Sequence, residues 1–246
     1  MAELARGTTL SAASAASDEY RELASMIEAV KAAKSDPKLR KDMNNPYILC
    51  PEIPDLRHPQ VSIKGPAYDA DFQRWSAPFI MEAINARVVL RSNMLLGMAY
   101  GDDFLYREQM ITGKGFKGRL SAIGLTAGLG LFAVTVIINP LRAFMQRYVL
   151  PKPGEGPSPE AQLAGYFDLS LLGKNEDGKT LKVRVTGDRD PGYGCTAKML
   201  AQASLCLAFD ITQEQCNGGF WTPATAMGDQ LRDRLTQHAG MTFTID

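Results

Sequence analysis

The stretch AGYFDLSLLGKNEDGKTLKVRVTGD, residues 164–188, decides the fold. Two runs of strand-forming residues flank the turn-forming sequence KNEDGK at 174–179, and this arrangement predicts an antiparallel β-hairpin. The chain then turns through RDPGYGC, residues 189–195, into a run of helix-forming residues. A strand-to-helix corner is therefore predicted directly after the hairpin.

Apolar periodicity predicts further elements on both sides of this hairpin. They are a helix over 67–96 with a kink at Pro78, a strand within 101–113, helices over 196–210 and 223–238, and a closing strand over 241–245. Together these elements predict an α+β fold. We expect a mostly antiparallel mixed sheet that is covered by helices on one side, with one long apolar helical segment.

The first 60 residues are predicted to lead into the main domain, which we place at 61–246. Residues 1–17 are small and polar, which is typical of a lead-in rather than of a core element. From Asp18, apolar residues at three- and four-residue spacing predict an amphipathic helix that ends near Pro37. A short helical turn over 39–43 then precedes a proline-rich loop.

Composition excludes several classes of function. The 246 residues are 45% hydrophobic and include 27 basic and 27 acidic side chains, so the formal net charge is zero and nucleic-acid binding is not expected. The four cysteines form no C-x-x-C pair and the two histidines lie far apart in sequence, so no metal site is expected. Because the chain opens without a secretory signal, we expect reduced thiols and a cytoplasmic location.

The sequence GKGFKG at 113–118 matches the G-x-G-x-x-G pattern of dinucleotide-binding turns letter for letter. That pattern works with an acidic residue about 20 positions later, which holds the ribose hydroxyls. No Asp or Glu occurs between Glu108 and Glu155. The sequence therefore favours a flexible glycine loop over a dinucleotide site.

The run LSAIGLTAGLGLFAVTVIINPL, residues 120–141, has no charged residue, and as a helix it is long enough to cross a bilayer core of ~30 Å. Three glycines and the pair Asn139-Pro140 weaken it as an isolated membrane span. A span, a re-entrant or surface-lying helix, and a helix buried in the protein or in a dimer interface are the three interpretations. Basic residues on both sides of the run suit contact with lipid head groups.

The corner at 187–200 holds a phenol and an ammonium that are close in sequence. Lys198 falls in the first turn of the predicted helix, where a cation opposes the helix dipole and favours an anionic ligand or a nearby carboxylate. Tyr193 and Lys198 could donate a proton to a carbanion or enolate, and helix capping is the structural alternative. Cys195 has no histidine near it in sequence, so a nucleophilic role is not favoured.

Four stretches resemble a known family: GPAYDADFQRWSAPFIMEAINARVVLRSNMLLG, LPKPGEGPSPEAQ, VTGDRDPGYGCTAKML and GGFWTPATAMGDQLRDRLTQHAGMTF. They look like the C-terminal region of the saccharopine dehydrogenase-like oxidoreductases, the group that includes mycobacterial trans-acting enoyl reductases. The resemblance runs in order over nearly the whole chain. The opening ARGTTLSAASAAS resembles a stretch that follows the family's N-terminal Rossmann domain. The resemblance therefore implies that this sequence lacks the cofactor domain.

This resemblance implies the substrate-binding and dimerisation part of an enoyl-reductase-like oxidoreductase that acts on a lipid-type or acyl substrate as a homodimer. NAD(P) is implied as the family's cofactor but is not expected to bind this chain alone, so a separate cofactor-binding domain is an expected partner. Other relatives take part in glycolipid synthesis or associate with lipid droplets. The alternative is a non-catalytic membrane- or lipid-droplet-associated interaction module that uses 120–141 as its contact.

Six polar residues are predicted to line the cleft of such a domain. Tyr193 or Lys198 is the predicted proton donor. The predicted substrate-binding residues are Arg74, Asn85, Arg91 and Asp190.

Overall fold

The computed structural model describes residues 9–14, 32, 36–51, 59–148 and 156–245. Within them, strands in the order β2-β3-β4-β1-β5-β6-β7 form a single sheet. The strands are β1 Thr9–Ser14, β2 Ala67–Asp69, β3 Arg74–Pro78, β4 Leu105–Gly113, β5 Phe167–Lys174, β6 Thr180–Gly187 and β7 Met241–Ile245. The helices are α1 Pro37–Met43, α2 Glu82–Leu95, α3 Gly115–Ile137, α4 Asn139–Tyr148, α5 Pro159–Ala164, α6 Thr196–Phe209, α7 Pro223–Ala226 and α8 Gly228–His238.

All neighbouring strands are antiparallel except β1 and β4, which run parallel. The hairpin predicted at 164–188 consists of β5 and β6, which pair along their full lengths. Its turn is held by Asn175, whose side-chain oxygen accepts a hydrogen bond from the backbone N–H of Lys179 at 2.8 Å. The predicted α+β class with a mostly antiparallel mixed sheet is confirmed.

The strand register shows which face of the sheet the helices cover. Phe167, Leu169 and Leu171 alternate along β5 and therefore point to the same face. Leu169 and Leu171 pack against an apolar cluster formed by α2 and β4, whereas Phe167 packs against a second cluster formed by α8 and β7. Both clusters therefore lie on one face, in agreement with the prediction.

The N-terminal segment differs from the prediction of a lead-in. Thr9–Ser14 forms β1, which lies in the centre of the sheet between β4 and β5. The lead-in interpretation is therefore wrong for these six residues. The amphipathic helix predicted from Asp18 lies outside the described residues.

Residues 67–78 also differ from the prediction, because they form a β-hairpin and not the first half of a long helix. The Asp69 carboxylate accepts hydrogen bonds from the backbone N–H groups of Asp71 and Phe72 at 2.9 and 3.0 Å, which starts the turn between β2 and β3. Gln73 adopts a φ of 52°, a left-handed conformation that a helix does not contain. The helix itself begins only at Glu82.

The apolar run forms α3, which follows β4 without a loop. Gly118 lies inside α3, where an added Cβ would come within 2.4 Å of the carbonyl oxygen of Gly113 at the end of β4. Thr112 reinforces this contact by donating from Oγ1 to the carbonyl of Gly118 at 2.8 Å. The prediction of a flexible glycine loop is wrong, because these glycines let a helix and a strand pack closely. After a break at Ile138, α4 follows α3 directly.

Several other elements agree with the sequence. The turn expected at 39–43 is part of α1, the helix at 196–210 is α6 and the closing strand is β7. The helix expected at 223–238 is divided into α7 and α8 by a break at Met227.

Candidate functional site

The corner after β6 is built around Asp190, whose side chain is buried with 1% of the residue exposed. Its carboxylate accepts hydrogen bonds from the backbone N–H groups of Tyr193 at 2.6 Å and Gly194 at 3.1 Å. The backbone N–H of Asp190 in turn donates to the carbonyl of Gln162 at 3.1 Å. Asp190 thus caps the π-helical turn Pro191–Cys195, which precedes α6.

Lys198 lies in the first turn of α6 and holds two distant parts of the chain together. Its ammonium donates to both carboxylate oxygens of Asp188, at 2.8 and 3.0 Å, and to the carbonyl of Ala239 at 3.2 Å. Asp188 directly follows β6 and Ala239 directly follows α8. The sequence predicted an anionic ligand or a nearby carboxylate beside Lys198, and Asp188 is that carboxylate. Its negative charge offsets the unfavourable position of a cation at a helix N-terminus.

Tyr193 lies in the π-helical turn and is partly buried. Its ring lies against Gly156, where an added Cβ would come within 2.9 Å of Cζ and 3.3 Å of the phenol oxygen. Gly156 therefore leaves the space that the phenol occupies. The structure brings Asp190, Tyr193 and Lys198 to one corner, but their roles in substrate binding and catalysis stay predictions.

Arg74 and Arg91 lie on other elements. Arg74 is exposed at the start of β3, which is four strand positions from β6, or roughly 19 Å at ~4.8 Å per strand. Arg91 on α2 donates to the carbonyl of Leu49 at 3.0 Å and to that of Phe220 at 3.2 Å. It thereby joins α2 to two loops. The geometry does not bring these two arginines together with the corner.

Asn85 leads to a buried polar cluster that the sequence did not predict. Its Nδ2 donates to the Glu108 carboxylate at 2.9 Å. The backbone N–H of Glu108 donates to the Glu82 carboxylate at 3.1 Å, and Tyr106 also hydrogen bonds to Glu108. Glu82, Tyr106 and Glu108 are all buried, between α2 and β4. We call Glu82, Asn85, Tyr106 and Glu108 the carboxylate cluster.

Burial controls the protonation of this cluster. Burial raises the pKa of Glu108, and the negative charge of Glu82 raises it further, against hydrogen bonds from Asn85 and Tyr106. The pKa of Glu82 is raised as well, chiefly by burial, although Arg107 opposes the shift. Burial and the two carboxylates raise the pKa of Tyr106. The cluster can therefore hold a proton at a higher pH than exposed carboxyl groups can.

Only part of this cluster has a signal in the sequence. Tyr106 and Glu108 are two residues apart in a strand, so they point to the same face, which alternation alone can predict. Glu82 is 26 residues away from Glu108 and lies on a helix, and no local pattern connects them.

The described residues contain no group of three or more His, Cys, Asp or Glu side chains that could hold a metal ion. Cys195 is buried, and its Sγ donates to the carbonyl of Arg189 at 3.4 Å. Burial raises the pKa of this thiol. Because the thiolate is the reactive form, this environment does not favour a nucleophile.

No protein-family model and no solved structure matches this chain. A Mycobacterium tuberculosis protein provisionally named a trans-acting enoyl reductase is 35% identical over 229 residues. Proteins named trans-acting enoyl reductase from Mycobacterium ulcerans and Mycobacterium bovis are 32% and 33% identical. Each alignment covers 87% of this chain and 53% of the relative, so the chain spans about half the length of these curated relatives. The similarity supports the resemblance to the trans-acting enoyl reductases that the sequence motifs indicated.

Proposed function

We propose that this chain is the substrate-binding and dimerisation part of an enoyl-reductase-like oxidoreductase. Its substrate would be a lipid-type acyl chain with a carbon–carbon double bond next to a carbonyl group. The observation that carries the proposal is the 32–35% identity to proteins named trans-acting enoyl reductase over 87% of the chain.

Reduction of an enoyl group requires a proton for the carbon next to the carbonyl, and we assign its delivery to Tyr193. The neighbouring candidate, Lys198, has its ammonium bonded to the Asp188 carboxylate and to a backbone carbonyl. We therefore assign Lys198, together with Asp190, to holding the corner in which the phenol lies. Arg74, Asn85 and Arg91 stay candidates for contacts with other parts of a long substrate.

The glycines at 113–118 do not fit a dinucleotide. Gly118 is packed against the backbone of Gly113, and α3 is not followed by a strand parallel to β4 as in a dinucleotide-binding unit. We propose that a nicotinamide cofactor is held by a separate cofactor-binding domain. Hydride transfer is then not expected of this chain alone.

The test combines the purified chain with the nicotinamide-binding domain of a trans-acting enoyl reductase and follows NADPH oxidation with 2-enoyl thioesters of several chain lengths. We expect turnover with both parts present and no NADPH binding by this chain alone, measured by NADPH fluorescence. Stoichiometric binding of NADPH to the chain alone would refute the assignment of the cofactor to a separate domain. Absence of turnover with every thioester would refute the enzymatic proposal and leave the non-catalytic interaction module.

Two substitutions test the corner. Tyr193→Phe should lower kcat roughly 10²- to 10⁴-fold, the usual contribution of a positioned acid, with little effect on stability. Gly156→Ala should also lower kcat, because its new Cβ would displace the Tyr193 ring. Tyr166→Phe, at an exposed tyrosine that directly precedes β5, is the matched control and should keep full activity. If Tyr193→Phe were as active as the control, Tyr193 would be assigned a structural role and not a catalytic one.

A further inference from the structure

Helix α3 is apolar along its length and largely exposed in the described structure. It is 23 residues long and apolar enough to cross a membrane, yet only 11% of its most apolar 18-residue window is buried in the protein. The prediction of a helix buried within this chain therefore does not apply. A large exposed apolar surface of this kind marks a site of contact with a protein, a ligand or a membrane.

The exposed apolar side chains of α3 form one continuous stripe. At 100° per residue they fall within an arc of roughly 120°, opposite the buried Gly118 and Ala122 that pack towards the sheet. The members of the stripe are Phe116, Leu120, Ile123, Leu131, Val134 and Ile137. Phe144 and Tyr148 on α4 are also exposed, and their ring centroids lie 5.1 Å apart.

The sequence segment that contains this stripe carries charge of one sign. Residues 109–154 contain Lys114, Lys117, Arg119, Arg142, Arg147 and Lys152 and no acidic residue. The rest of the chain has a formal charge of −6, because 21 of the 27 basic residues and all 27 acidic residues lie there. An apolar surface flanked by basic residues is complementary to a bilayer of anionic lipids and unlike the rest of this protein.

The packing of α3 argues against a membrane span. Gly118 lies against the backbone of Gly113, and the Arg119 guanidinium lies 5.3 Å from the centre of the Trp75 ring, so the first turns are attached to the sheet. From Ile123 to Ile137 the helix is about 22 Å long, which is less than the ~30 Å of a bilayer core. The helix then ends at Ile138, whose backbone is extended, and α4 begins at Asn139.

We propose that α3 and α4 bind the surface of an anionic phospholipid bilayer. The apolar stripe enters the boundary between head groups and acyl chains, and Lys114 and Lys117 at the start of α3 face the lipid phosphates. The helices lie in the interface and do not cross the membrane. This inference does not depend on the proposed enzymatic function.

The experiment is sedimentation of the purified full chain with phosphatidylcholine vesicles that contain 30% phosphatidylserine, and with pure phosphatidylcholine vesicles. We expect strong binding to the anionic vesicles and release by high salt. At about fivefold in affinity per basic residue near an anionic surface, Lys114→Gln with Lys117→Gln should weaken binding roughly 25-fold. Equal binding to both kinds of vesicle, or binding that resists alkaline carbonate extraction, would overturn the proposal.

A matched pair of variants tests the stripe itself. Leu131→Gln with Val134→Gln changes side chains that are 65% and 49% exposed, and it should weaken vesicle binding more than roughly tenfold while the circular dichroism spectrum stays unchanged. Leu200→Gln with Leu207→Gln changes two exposed leucines on α6 and should bind like the wild type. The proposal fails if both double variants bind equally. It also fails if the stripe variant changes only a dimer seen by size-exclusion chromatography without vesicles.

Discussion

Replacing Asp190 with alanine should destabilise the protein by roughly 2–4 kcal/mol. The carboxylate is buried and accepts two backbone hydrogen bonds, from Tyr193 and Gly194. Each bond of this capping type contributes about 1–2 kcal/mol, and both donors would be left without an acceptor in a buried turn. For a domain of this size the loss corresponds to a decrease in Tm of roughly 5–15 °C.

The assay is urea unfolding followed by circular dichroism, with Asp188→Ala as the control. Asp188 is an acidic residue in the same corner, but its side chain is half exposed and forms an ion pair with Lys198. Loss of such a pair should cost less than about 1 kcal/mol. If Asp190→Ala were no less stable than Asp188→Ala, the assignment of Asp190 as a cap would be refuted. A large change in KM with unchanged stability would instead favour the substrate-binding role predicted from the sequence.

Two further predictions concern the other half of the sheet. Gly118→Ala should destabilise the protein by more than about 2 kcal/mol, because its Cβ would collide with the Gly113 carbonyl. Gly124→Ala, where the Cβ meets open space, should instead stabilise α3 by about 0.5–1 kcal/mol. Thermal unfolding measures both variants, and similar Tm values would contradict the prediction. The pKa of Glu108 is raised above its ordinary value of 4.5, so the folded state binds more protons than the unfolded state above pH 4.5. The free energy of unfolding should therefore decrease as the pH rises above 4.5, by at most ~1.4 kcal/mol per pH unit for each proton. Glu108→Gln keeps an acceptor for Asn85 and should flatten this decrease in urea unfolding at several pH values, and an unchanged slope would exclude Glu108 as its source.

The parts of the fold that local patterns specify were predicted well. β5 and β6 have a turn-forming sequence between two strand-forming runs, and they pair with each other directly along the chain. The position of Lys198 at a helix N-terminus predicts an anion or a carboxylate beside it, and the Asp188 carboxylate accepts a hydrogen bond from its ammonium. In both cases the partners are close in sequence, so the physical reason is visible in a short window.

The structure differs from the sequence prediction where the decisive contact is distant in sequence. The residues of β1 are small and lack the β-branched or aromatic pattern of a strand, but they pair with β4 and β5, which lie about 95 and 160 positions away in sequence. Residues 67–78 have apolar spacing that suits a helix, yet the Asp69 turn and the pairing of β3 with β4 make them a hairpin. The carboxylate cluster was missed for the same reason, since Glu82 and Glu108 meet only after α2 packs on β4.

β1 also determines how the candidate sites are related. Residues 59–113 supply β2, β3 and β4 with the carboxylate cluster, and residues 167–245 supply β5, β6 and β7 with the corner at Tyr193. Each set of strands is contiguous in the sheet, and β1 is the strand that pairs with both. Because β1 forms backbone hydrogen bonds with β4 along one edge and with β5 along the other, it joins both sets into one sheet. Within the described residues, Thr9–Ser14 therefore connects the strands that carry the two candidate sites, although those six residues contain none of the predicted site residues.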